Sequence, residues 1–86
     1  MYFKSKYVIV DTGMAVVPIV FAEVIQHFDM VRAIAPNGEV IGAGFCCIQK
    51  DRYICYGESI SLGVKSRESA DSKILNTYLG TTPHEG

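Results

Sequence analysis

The 86-residue sequence has no tryptophan and only three leucines, three prolines and three cysteines. So little leucine beside eighteen valines and isoleucines argues against a helical bundle, because β-branched side chains fit pleated sheet better than helix interiors. Three cysteines without a C-x-x-C spacing make neither a disulfide framework nor a tetrahedral zinc set, so neither metal nor cofactor is expected. Charge is equally spare. Eight Lys and Arg against nine Asp and Glu leave a net charge of −1, and no basic stripe exists to gather nucleic acid or an anionic membrane; neither is expected as a partner. The longest uncharged run, residues 12–22, is too short to span a bilayer and contains Pro18. Asp11 interrupts the apolar stretch that a signal peptide would need after Lys4 and Lys6, so the cytoplasm is the expected address. What the sequence does hold is apolar bulk: 49% of residues are hydrophobic, enough for one small core. Residues 1–80 are expected to form a single domain and 81–86 a flexible tail.

Residues 3–10 and 14–21 read as two strands around Asp11-Thr12-Gly13, a three-residue hairpin loop whose last position suits glycine. That loop sets Val8 opposite Val16. Phe21, Val24, Ile25, Phe28, Val31, Ile34 and Ala35 recur at helical spacing and end at Pro36-Asn37-Gly38. Residues 39–49 and 52–62 form a second, longer hairpin around Lys50-Asp51, with Cys46 opposite Cys55. Ser66 can cap a second helix over 67–79, with Ala70, Ile74, Leu75 and Tyr78 inward and Gly80 as its stop. The order is ββα-ββα, and the expected fold is α+β: a four-stranded, largely antiparallel sheet with both helices on one face.

Few residues carry chemistry. Asp11-Thr12-Gly13 after Val8-Ile9-Val10 resembles the active-site segment of retroviral-type aspartic proteases, which implies a homodimer whose two aspartates share a proton. Against that resemblance, the family's later hydrophobic-hydrophobic-Gly element could only be Val40-Ile41-Gly42, which arrives too early, and a hairpin turn accounts for the same residues. Cys46 and Cys47 point to opposite sheet faces; Cys46 and Cys55 can approach, although a cytoplasmic address favours free thiols. A nucleophilic cysteine would need His27 or His84 as its base. The run Gly57-Glu58-Ser59-Ile60-Ser61-Leu62-Gly63 before a C-terminal helix is similar to one in short uncharacterised proteins of bacteria and their phages, a family that brings no established activity.

Glu58 falls opposite Ala43 on the bulky sheet face, where partial desolvation would raise its pKa; with Asp11 it is the candidate catalytic carboxylate. Ser59, Ser61, Lys65 and Arg67, with Glu58, gather near the start of the second helix and are the candidate ligand-binding residues. The other face of the second hairpin carries Gly42, Gly44, Cys46, Cys55 and Gly57, rimmed by Val40, Ile48 and Tyr53. Small and uncharged, it asks for a cover, and a second copy of the chain is the expected one. These readings together imply a non-enzymatic, homo-oligomeric binding or regulatory protein that captures a protein partner or small ligand at a subunit interface. The alternative is a small dimeric hydrolase using Asp11, Glu58 or a cysteine at that interface.

Overall fold

The computed structural model describes residues 4–80, so the expected tail and His84 lie outside the described residues. Strands β1 (Lys4–Asp11), β2 (Val16–Phe21), β3 (Glu39–Gln49) and β4 (Arg52–Tyr56) form an antiparallel sheet in the order β2-β1-β3-β4. Helix α1 (His27–Ile34) joins β2 to β3. Short strands β5 (Glu58–Ser59) and β6 (Val64–Lys65) make a separate hairpin before helix α2 (Glu68–Leu79). The fold is α+β, with the four-stranded antiparallel sheet and the two helices that the sequence implies. Among the described residues no helix is long and apolar enough to cross a membrane.

The second hairpin has the expected register, with Gln49 paired to Arg52 and Cys46 to Cys55. Its two turn residues, Lys50 and Asp51, both take positive φ (51° and 64°), the two-residue turn whose twist matches that of the strands. The first hairpin differs from expectation by three residues: Val8 faces Ile19, not Val16. Side chains set this register. Asp11 Oδ1 accepts the Gly13 N–H at 2.8 Å, Thr12 Oγ1 accepts those of Met14 and Ala15, and the Thr12 N–H donates to the Ala15 carbonyl at 3.0 Å. The turn is therefore closed by Thr12 and Ala15.

Tyr7, Val8, Ile9 and Val10 are consecutive and none has any exposed surface. Since alternate residues of a strand face opposite ways, β1 is covered on both sides. Tyr7 and Ile9 pack with Cys46, Cys55 and Leu75 of α2, whereas Val8 and Val10 pack with Ala43, Phe21 and Val31 of α1. The helices thus lie on opposite faces, a correction to the expected placement on one. The small face is the one that α2 covers: Gly42, Gly44, Cys46 and Cys55 are buried, Val40 packs with the other face, and Ile48 and Gly57 are exposed. The ground for placing a subunit interface on that face is removed.

What seats α2 there is polar. Asp71, with no exposed surface, accepts from the Tyr7 phenol (2.6 Å) and the Arg67 backbone N–H (2.9 Å) on Oδ2, and from Arg67 Nε (2.9 Å) and Nη2 (2.7 Å) on Oδ1. The Tyr7 oxygen also lies 2.6 Å from Ser66 Oγ, so Ser66 serves this network and does not cap the helix; the N-cap residue is Arg67. Gly42 is required beneath the carboxylate, because a Cβ there would collide with it. One turn on, Asn76 accepts the Tyr53 N–H on Oδ1 (2.7 Å) and donates Nδ2 to the Tyr53 carbonyl (3.0 Å), while Ser72 Oγ accepts the Cys55 N–H (2.9 Å). The inward phase of α2 is therefore Asp71, Ser72, Leu75 and Asn76, with Ile74 partly buried against the same cluster; the expected Ala70 and Tyr78 are exposed.

Both sheet edges are blunted by these arrangements. Side chains of α2 occupy the outward backbone groups of β4. On β2, the Thr12–Ala15 closure makes Val10–Val17 and Val8–Ile19 the hydrogen-bonded pairs, so the nitrogen of Pro18 faces outward, where it offers no donor.

Two substitutions test this description. Tyr7→Phe removes a donor from a buried carboxylate and should cost about 1–3 kcal/mol, roughly 5–15 °C in Tm by differential scanning calorimetry. Lys50→Asn relieves a lysine held at positive φ and should raise stability by about 0.5–1 kcal/mol in chemical denaturation.

Candidate functional site

The strand expected over 52–62 stops at Tyr56 because Gly57 turns the chain at φ 79°. Glu58 therefore does not face Ala43 within the main sheet. It stands exposed on β5, paired in register with Lys65 of β6. The β5–β6 hairpin carries the chain past the end of β4 from one face to the other: Leu62 and Val64 pack on the α1 side, and Ser66 reaches Tyr7 on the α2 side. Its tip is closed by Ser59, which is buried and accepts the Leu62 N–H on Oγ (3.1 Å), and by Gly63 at φ 68°.

Where this hairpin meets the start of α1, a cleft of about 150 Å³ opens, lined by Lys6, Gln26, His27, Phe45, Glu58, Ile60 and Ser61. Gln26 and Ser61 also line an adjoining opening of about 500 Å³ with Phe28 and Asp29. Ser61 Oγ accepts the Phe28 N–H at 3.2 Å, so a residue 33 positions away satisfies an orphan donor in the first turn of α1. Lys6 Nζ donates to the Ile25 carbonyl (2.9 Å), and Lys4 Nζ sits 4.5 Å from the Phe45 ring centroid and 3.7 Å from Glu23.

His27 forms the floor. It is 4% exposed, meets Phe21 and Phe45 edge-on, and its Nε2 lies 2.8 Å from the Gly44 carbonyl. A carbonyl accepts only, so Nε2 carries the proton and Nδ1 is the acceptor in the neutral ring. The ring itself lines the cleft. Burial pulls the His27 pKa down and the charge of Lys6 acts the same way, while the Gly44 carbonyl opposes them. The ring is neutral at physiological pH.

The sequence-derived site residues separate in the structure. Glu58 and Ser61 line the cleft; Lys65 is exposed beside Glu58 and faces a second opening with Gly57, Ser66 and Glu68; Ser59 holds a turn; Arg67 is committed to Asp71; and Asp11 is tied into its hairpin turn. In the sequence His27 stands out only as a base for a cysteine, and Lys6, Gln26 and Phe45 carry no signal, because only the fold brings them together. Among the described residues no three His, Cys, Asp or Glu side chains cluster as a metal site would require. No family model, curated protein or solved structure matches this chain.

The buried ring makes a pH prediction. Its folded pKa lies below the unfolded value of about 6.5, so the unfolded chain binds the proton first as pH falls. The His27 contribution is complete above that value and is lost progressively below it. Denaturant midpoints measured from pH 7.5 to pH 5 should fall more steeply for the parent chain than for His27→Gln, which keeps a donor for Gly44 but cannot titrate.

Proposed function

We propose that this chain is a small non-enzymatic binding protein that works as a homodimer, with the ground around the cleft as its subunit contact and the cleft as the place where a ligand or partner segment is held between copies. One observation carries the reading. Ile60, 89% exposed, lines the cleft whose floor is a neutral histidine, Phe28, 46% exposed, lines the adjoining opening, and Val24, 88% exposed, and Ile25 directly precede the cleft residue Gln26 in the chain. Apolar side chains so fully presented beside an opening mark an interaction surface. Both faces of β1 are covered within the chain and both sheet edges are blunted, and the exposed apolar side chains beside the cleft adjoin openings that a partner segment can enter. A two-fold contact is the commonest way for one surface to cover itself. Asp29 and Arg32 flank Phe28, with Arg32 5.7 Å from its ring, and supply charges of both signs for a self-complementary rim.

Of the groups the hydrolytic alternative would use, Glu58 lines the cleft and is paired in register with Lys65, while the others are committed elsewhere. The Asp11 carboxylate is engaged in a turn, and the cysteines are buried with Cys46 and Cys55 beneath a helix. The test is light scattering coupled to size exclusion. The parent chain should run at twice 9.5 kDa at micromolar concentration, and Ile60→Asp or Phe28→Asp should give the monomer with Tm unchanged within a few degrees. A parent chain that stays monomeric throughout that range overturns the proposal.

A further inference from the structure

Cys46 and Cys55 are partners across the β3–β4 hairpin, and both side chains are buried together under Leu75 of α2. The two-residue turn at Lys50 and Asp51 makes Gln49–Arg52 a hydrogen-bonded pair, so by alternation Cys46–Cys55 is a non-hydrogen-bonded one. The backbone agrees: the Cys55 N–H points away from β3, to Ser72 Oγ. In such pairs the Cα atoms stand about 4.5 Å apart with side chains close on one face. That spacing is inside the roughly 4.4–6.8 Å that a disulfide spans. Cys47 packs on the opposite face and is out of reach of either sulfur.

We infer that Cys46 and Cys55 are a site of reversible oxidation, closing to a cross-strand disulfide by exchange with a low-molecular-weight disulfide when α2 lifts from the sheet. Both thiols are free with α2 seated, and burial pushes Cys46 up to about 12 and Cys55 up to about 11, so thiolate is scarce in that state. Attack therefore waits on α2, whose hold on β4 consists of the Ser72 and Asn76 bonds to the strand backbone. In the opened state the Cys55 thiolate attacks one sulfur of the reagent, forming a mixed disulfide and expelling the first thiolate. Cys46, losing its proton, then attacks the Cys55 sulfur and expels the second. The chain gives up two protons and two electrons, and the reagent leaves as two thiols. This site is independent of the subunit contact proposed above.

The experiment uses the full chain carrying Cys47→Ala, exposed to oxidised glutathione at mildly alkaline pH with and without mild urea, then alkylated and read by intact mass. The expected product has lost two hydrogens, retains no glutathione and takes up no alkylating reagent. It should form faster in urea, and roughly fivefold faster when Asn76→Ala removes hydrogen bonds from α2. Adding Cys46→Ser should instead leave one stable glutathione adduct on Cys55. Two alkylatable thiols after exposure in urea, glutathione retained on both cysteines, or disulfide-linked dimers on a non-reducing gel would each overturn the inference.

Discussion

A buried carboxylate organises the molecule. Asp71 is withdrawn entirely from water, and a charge so placed is tolerated only when hydrogen bonds replace its hydration. Here Tyr7 supplies one from the central strand, and Arg67 supplies three from the entry to the same helix. The carboxylate therefore works as a peg: it fixes the rotation of α2, and that rotation decides everything else the helix presents. With Asp71 against Gly42, Leu75 one turn later enters the core, and Ser72 and Asn76 fall along the backbone of β4. Among the described residues no buried side-chain nitrogen or oxygen lacks a partner, which is the condition for such a polar seat to be stable.

Much of the sheet was legible in the sequence. The second hairpin could be read to the residue because two runs rich in β-branched and aromatic residues meet at Lys50-Asp51, and a two-residue connection leaves a single register. The first could not, because the choice between a three-residue loop and a turn closed by Thr12 rests on which backbone groups the Asp11 and Thr12 side chains capture. Helix α1 misled for a different reason. Its apolar spacing suggests a buried stripe from Phe21 to Ala35, yet the helix begins only at His27, and Val24, Ile25 and Phe28 face out. Periodicity reports that a stripe is apolar, and it does not report whether the cover belongs to the same chain.

The second helix shows the converse limit. Asp71, Ser72 and Asn76 turn inward, and hydrophobic periodicity has no way to anticipate that, since each is buried by a specific hydrogen bond that exists only once the strands are in place. The cleft is opaque on the same grounds: Lys6, His27, Phe45 and Glu58 come from four separate elements. Of these, only Glu58 is a binding candidate in the sequence, by its place near the second helix, and the burial that makes it a catalytic candidate there is absent from the structure. The apolar side chains exposed beside the cleft and the residues that lock the fold thus belong to separate groups, the second polar and hidden.

Asn76 uses both its amide groups on the backbone of Tyr53, as a neighbouring strand would. Helix α2 is in this respect a removable fifth strand, and it follows β4 in the chain by a dozen residues. Whenever α2 is off the sheet, the outer backbone groups of β4 stand open. Without that helix the edge of β4 offers a template to any other exposed strand nearby. The helix is thus the cap that keeps this edge from pairing with another chain.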